Sequence, residues 1–537
     1  MDPKQLLLHK GGYKMKKKLV SLALAAAMVL SVSASAFAGE AKSANADPVN
    51  TETSDETIVI ALSAEPSGLW GAGVGKVENE MQIIGAPLLD TLVISDKNTG
   101  EILPNLATSW EWIDETHCRF VLRDDVTMSD GTPLVADDVV YSVNTWIEFS
   151  GHTDTGRFLE GASAEDEHTV TIGFNTVAPD FLAMMAWSNF GIVSEDEVNA
   201  LGGPEAANTN PAFGSGKYRF KEWNHGSDIV LERNDNYWNP DYKGYYKEIR
   251  FIFTNDAAAR AMAVQSGDVQ VAYDMPMSMA STYVADDSVQ VIAHTFGQNT
   301  RIWYNMGPNA GPTADIRVRQ AIDKALNFDA IAMVGTAGFG EEVHGTFPAE
   351  SRYYNEIFTK EERAVDIEGA KALLEEAGYG DGLDLSIVGM QDQNPVFTVM
   401  QENLKQAGIN LSIQIVDTPQ FVEQANGGTY DIIHVGDLQD ARYPTIFSSL
   451  RQALIDTFCI GGCKYTTPEI EEMIDSVIQE PDEEKAKENA KTLEEYLKQE
   501  MMISNTYPEM HAAITGADIK GYRTMERGFL DATGFYK

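Results

Sequence analysis

The chain reads as an α/β protein of more than one domain, and three observations predict it. Its 537 residues exceed what one simple core organises, so two or three domains are expected. Between residues 366 and 416 a unit of helix, Gly stop and strand occurs twice, which predicts a parallel or mixed sheet with helices on its faces. Between residues 104 and 238 short alternating segments lie between turn residues, which predicts strands with one amphipathic helix among them.

Composition bounds the function. The chain is 43% hydrophobic and 9% aromatic, ordinary for a globular protein. Its 40 basic and 81 acidic residues leave a formal charge of −41. Nucleic acid and anionic lipid both require a basic face, so neither is expected as the main partner.

The N-terminus carries an export signal. Lys14 and Lys16 to Lys18 form a basic region, and Leu19 to Leu30 is an apolar run too short to span a membrane. Ala36-Phe37-Ala38 is a cleavage site, so the mature chain is expected to begin at Gly39. Met15 reads as the natural start, and residues 1–14 as a tag or upstream extension. No Cys follows the apolar run, so no lipid anchor is expected. The product is expected in a periplasm or outside the cell.

Gly39 to Glu56 is small, polar and acidic, the composition of a disordered linker. Thr57 to Ala61 is the first strand, and Ser63 to Gly75 a Gly-rich loop holding Trp70. Glu80 to Leu92 reads as a helix. Phe120, Leu122 and Val126 alternate on a strand, Asp130-Gly131 turns, and Val139, Val140, Val143 and Trp146 share one helix face. His168 to Phe174 is a strand, and Pro204 to Pro211 a loop. In Phe213 to Trp238, FGSGKYRFKEWNHGSDIVLERNDNYW, two short strands flank the turn His225-Gly226-Ser227 and end in aromatics. Ile249 to Phe253 is a strand and Ala257 to Val264 a helix.

Thr300 to Met306 is a strand, and Asp315 caps a helix through Ile331 on which Arg317 and Arg319 read as helix-surface ion pairs rather than ligand contacts. Asp366 caps the next helix, stopped by Gly378, before a strand at Leu383 to Val388. Val396 to Ala407, stopped by Gly408, precedes a strand at Leu411 to Val416. Asp431 to Val435 is a buried strand with a loop, Gly436 to Tyr443, off its end. Ligands in open α/β sheets bind beside the carboxyl ends of strands. Two amphipathic helices around Pro481 follow, and Ile503 to Ile514 leads back towards the first part of the chain.

Several of these segments carry a resemblance in one order. GSGKY followed by LERNDNYW, PNLATSW, FVLR, DGTPLVADDVVYS and RVRQAI resemble the extracellular solute-binding proteins of family 5, which serve ABC importers of oligopeptides, dipeptides and nickel. Met128 stands where the family usually has an aromatic, and Gln270 where it has an acid. The resemblance covers the chain from about Ile58 onward. It implies a two-lobed periplasmic-binding-protein-like fold of class II type, with an extra α+β domain inserted in the first lobe. It assigns residues 57–95, 213–305 and 505–537 to lobe I, 96–212 to the extra domain and 306–504 to lobe II. Thr300 to Met306 is then a crossing between lobes.

The resemblance also implies capture of a small solute, most simply short peptides, by a monomer that delivers it to ABC permease subunits. In peptide-binding relatives the sequence Y-D, a strand, G-W, two residues and an Asp places that Asp on the ligand's α-amino group. Carried onto YDIIHVGDLQD, the acid is Asp440. Asp437 stands where the Trp would be, and His434 where oligopeptide binders can have an Arg for the ligand carboxylate. Trp70, on the loop after the first strand, is a candidate wall of the cleft or a packing residue. The Asp437 and His434 departures keep a second ligand class open: a metal chelate, opine or oligosaccharide.

Cys118 reads as a buried strand residue. Cys459 and Cys463 enclose Ile-Gly-Gly and read as a disulfide across a Gly turn or, with His434 as nearest His in sequence, as part of a metal site. No G-x-S-x-G, H-E-x-x-H or P-loop spacing occurs, and no cofactor is expected. Among 81 acids nothing selects one pair for glycoside hydrolysis, so a secreted hydrolase or adhesion protein is the least favoured reading.

Overall fold

A computed structural model describes residues 52–71, 78–96, 101–149, 158–177, 181–211, 214–349, 351, 353–390, 393–437, 467–525 and 528–537. Its strands, in chain order, are β1 Thr57–Leu62, β2 Val93–Ser95, β3 Ile102–Pro104, β4 Ala107–Trp112, β5 His117–Leu122, β6 Leu159–Asp166, β7 Thr169–Phe174, β8 Tyr218–Asn224, β9 Asp228–Arg233, β10 Glu248–Phe253, β11 Val271–Met275, β12 Val289–Tyr304, β13 Leu383–Gly389, β14 Ile409–Ile415, β15 Ile432–Asp437 and β16 Ile503–Gly516.

Ten of them form one sheet in the order β14-β13-β15-β12-β16-β11-β1-β10-β9-β8. The two longest, β12 and β16, lie side by side at its middle and are the strands both lobes share. Lobe I hangs on β11, which pairs with residues 512–515 of β16. Lobe II hangs on β15, which pairs with residues 299–304 of β12. The expected crossings at Thr300 and at Ile503 are therefore present, and β12 begins eleven residues earlier than alternation suggested. Both lobes bury apolar cores, with Ile58, Ile60, Ile249 and Phe251 in lobe I and Val318, Ile322, Leu374 and Phe397 in lobe II.

The inserted domain is a separate sheet, β4-β5-β7-β6. The helix Ala136–Glu148 covers it, burying Val139, Val143 and Trp146 at the spacing read from sequence. Cys118 lies inside this core as a free thiol; burial, with Glu111 adding to it, pushes its pKa up to about 12, so it is chemically inert.

The segment 214–238 is organised by one buried acid. Asp90 accepts from Ser215 Oγ (2.9 Å), Tyr237 OH (2.9 Å) and Trp238 Nε1 (3.0 Å). The Gly residues flanking Ser215 are needed for that approach: a Cβ at Gly216 would lie 2.3 Å from the carbonyl of Pro87. The Arg123 guanidinium covers Trp238 at 4.2 Å.

Four expectations are corrected. The helix from Glu80 ends at Gly85 and tightens to a 3-10 turn over Ala86–Leu88, because Pro87 cannot donate to the ladder. Pro204–Thr209 is a short helix, with Pro at its first turn where no donor is required. The helix capped by Asp315 stops at Ala325, and Asn327 caps a second helix, Phe328–Gly335, by accepting from Ala330 N–H. Arg319 is not a surface ion pair: it is buried and donates to the carbonyls of Thr313, Ala314, Glu500 and Met501. Arg317 does pair with Asp315.

Candidate functional site

The candidate site lies where the two halves of the sheet meet. β12 and β16 pair in register from Val289/Gly516 to Thr295/Met510 and again from Asn299/Pro508 onward. Between those points four steps on β12 face two on β16, so the ladder breaks at residues 296–298. Gly297 takes a φ of +66° there, a conformation glycine adopts without strain. At the same break the sheet changes partners, β11 on one side and β15 on the other.

Strand direction then fixes where chemistry can gather. β1, β10 and β11 of lobe I are mutually parallel, as are β13, β14 and β15 of lobe II. Each group runs antiparallel to its crossing strand, so both point their carboxyl ends at the break. The end of β11 supplies Asp274, the end of β15 supplies Gly436 and Asp437, and the crossing strands supply Gln298, Glu509 and His511.

The side chains of Asp274, His511, Glu509 and Gln298 form one chain of contacts. His511 Nδ1 lies 2.9 Å from Asp274 Oδ1, and its Nε2 lies 3.3 Å from Glu509 Oε1. Gln298 Nε2 donates to Glu509 Oε2 at 2.5 Å. Phe296 stacks on the His511 ring with centroids 4.1 Å apart. His294 stacks between Tyr273 and His511 and lies 2.9 Å through Nε2 from the Tyr522 hydroxyl. Asp274 has a φ of +54°, and its backbone is held by Arg260 Nη2, which donates to its carbonyl at 3.0 Å.

Burial alone would drive the His511 pKa down; the carboxylates of Asp274 and Glu509 reverse this and hold it at about 10. Burial would likewise raise Asp274, and the His511 imidazolium brings it below the usual range. At neutral pH the site is a fixed imidazolium between carboxylates. A histidine held at about 10 is a poor proton acceptor and donor at neutral pH, so the arrangement suits holding charge in place rather than general acid–base chemistry.

The sequence-predicted residues fall apart from this cluster in part. Asp437 ends β15 with its backbone opposite Asn299, at the break. His434 lies on the same strand but is wholly buried, between Phe397 and Tyr507, with Nε2 3.2 Å from Thr506 Oγ1. Burial lowers its pKa to about 3, so it is neutral and offers a ligand carboxylate no charge. Trp70 is wholly buried in the lobe I core; its backbone N–H donates to Asn208 Oδ1 at 2.7 Å, and it borders a cavity of about 10 Å³, room for one water, beside Gln82 and Asn189. Asp440, Cys459 and Cys463 lie outside the described residues. Asp274, Glu509 and His511 were not singled out from sequence. Their signal is that each is a titratable side chain inside a strand, Asp274 in VAYDM and Glu509 and His511 in ISNTYPEMHAAITG.

A two-lobed α/β architecture whose lobes meet at strand carboxyl ends is matched by known proteins. A family model for the bacterial extracellular solute-binding proteins, family 5 Middle, covers residues 101–452. The chain belongs to that family. Among family 5 relatives, the periplasmic murein peptide-binding protein MppA of Escherichia coli (strain K12) is 25% identical over 500 residues, spanning 87% of this chain and 90% of MppA. The fold is shared with the family 5 protein DppA of Helicobacter pylori, solved in complex with the peptide STSA, at a TM-score of 0.75 and 21% identity over 89% of this chain and 98% of that one. It is shared equally with NikA of Brucella suis, solved with Fe(III)-EDTA, at a TM-score of 0.78 and 19% identity over 90% of this chain and 100% of that one. Among the described residues no helix is long and apolar enough to cross a membrane.

Proposed function

We propose that this family 5 protein is an exported binding protein that captures short peptides between its lobes and hands them to an ABC permease, without catalysing a reaction on them. The observation that carries the reading is the head-to-head meeting of strand carboxyl ends at the β12/β16 break, which creates one ligand position reachable from both lobes. The names of MppA and of the STSA-bound DppA support peptide as the solute. Asp440 is the proposed partner of the ligand ammonium. Mass spectrometry of small molecules released from the purified protein by denaturation tests the reading: a mixture of short peptides is expected, and a non-peptide species alone would overturn it.

A second reading keeps the fold and changes the solute. His434 is buried and neutral, which removes the cation that oligopeptide binders can offer a ligand carboxylate at that strand position. The Fe(III)-EDTA-bound neighbour shares the architecture. A chelate, opine or oligosaccharide would then take the place of the peptide.

A further inference from the structure

Glu509 occupies a singular place: it is the residue in which the two lobes meet at the break. On one side its carboxylate faces the lobe I imidazolium of His511 at 3.3 Å. On the other it lies against the backbone of Gly436, where lobe II ends its strand β15; a Cβ at Gly436 would be 1.8 Å from Glu509 Oε2. From β12 it receives Gln298 Nε2. Gln298 and Glu509 lie in the gap between the paired stretches of β12 and β16, with His511 in the paired stretch on one side of it and Gly436, opposite Thr300, on the other.

We propose that Glu509 is a positioning residue that sets the separation of the lobes in the ligand-free protein, and with it the apparent affinity for the solute. A rotation about residues 296–298 carries Gly436 relative to His511. Glu509 cannot keep both neighbours through such a rotation unless its own side chain moves. The two crossing strands are continuous backbone, so side-chain contacts at the break, rather than the strands, decide how far the lobes swing. Gly436 has no side chain at the point where the carboxylate needs the space, and the smallest substitution there displaces Glu509. Gln298 and His511 hold that carboxylate from the two crossing strands, and Asp274 holds His511 from β11, so the restraint is tied to both lobes. Only the apparent-affinity part rests on the two-lobe capture reading; the lobe separation does not depend on what the solute is.

The experiment compares the ligand-free full chain with Glu509→Ala, Glu509→Gln and Gly436→Ala by small-angle X-ray scattering, and then titrates each with a pool of synthetic tri- to pentapeptides. Glu509→Ala and Gly436→Ala are expected to give a larger radius of gyration than the parent. Glu509→Gln, which keeps an acceptor for Gln298 and loses the charge facing His511, is expected between them and the parent. Apparent affinity for the peptide pool should fall about 3- to 30-fold in step, since it scales with the fraction of molecules in the competent arrangement. A thermal midpoint near that of the parent excludes unfolding as the cause. Radii of gyration equal to or below the parent's in both Ala variants would overturn the proposal. If the radii grow while the parent itself binds no peptide, the hinge assignment stands and the peptide reading falls.

Discussion

His511 Nδ1 and Asp274 Oδ1 lie 2.9 Å apart, and this pair joins a strand that both lobes share to the end of a strand that belongs to lobe I alone. It forms where the residues on either side are apolar: Ala512 and Ala513 follow His511, and Met275 follows Asp274, all buried. A charged group among such neighbours persists only when paired, which is why His511 is held as a cation.

The pair makes stability fall on the alkaline side. The folded pKa of His511, about 10, stands above its ordinary 6.5. A raised base contributes stability that is complete below about pH 6.5 and is lost as pH rises through 10. Allowing for the part-exposed Asp274, the loss is roughly 2 kcal/mol. Urea midpoints measured from pH 6.5 to 10 should fall in the parent and stay flatter in His511→Gln.

His434 acts on the acid side with the opposite sign. Its folded pKa, about 3, stands below 6.5, so the unfolded chain takes up a proton that the folded chain refuses. Stability therefore declines as pH drops from 6.5 towards 3, by up to ~1.4 kcal/mol per pH unit. His434→Gln should remove most of that slope while lowering stability at pH 7. An unchanged acid limb would mean that the ring is not buried neutral.

Asp90→Ala should be among the most destabilising single changes in the inserted-domain junction. It strands three donors, Ser215 Oγ and Tyr237 OH at buried positions and Trp238 Nε1 at a part-buried one. At about 1–3 kcal/mol for each donor left unpaired, and less than additive within one cluster, a loss of about 3–5 kcal/mol is expected. Urea denaturation followed by Trp fluorescence measures it, and a loss under about 1 kcal/mol would contradict the assignment.

Asp440→Ala should abolish peptide binding with the fold intact. Truncating one partner of a dehydrated charge pair costs about 2–5 kcal/mol, or roughly 30-fold to a few thousand-fold in affinity. Titration calorimetry with a peptide recovered from the protein checks it; an unaltered affinity removes Asp440 from the anchor position.

Much of this architecture could be read from residues alone. The helix–Gly–strand units at 366–416, the helices around Pro481 and the crossing at Ile503 rest on local periodicity and caps, and the structure has them in place. Local pattern failed where a single residue competes with its neighbours, as Asn327 does by capping inside an apolar run. The site was harder. Asp274 is more than 230 residues from Glu509 and His511 along the chain and meets them only because β11 pairs with β16, a long-range fact that periodicity does not carry. His434 drew attention as a strand His near a loop, yet whether a strand residue faces ligand or core depends on which face the helices cover, and Phe397 of the helix Asn394–Gln406 covers it here.

The central claim, that this family 5 protein captures short peptides between its lobes, is tested most directly by identifying what the purified protein already holds. Native mass spectrometry of the intact chain, followed by denaturation and sequencing of released species, should show added mass that resolves into several short peptides. A single non-peptide species, or the bare chain mass together with no response to a peptide pool in calorimetry, would contradict it.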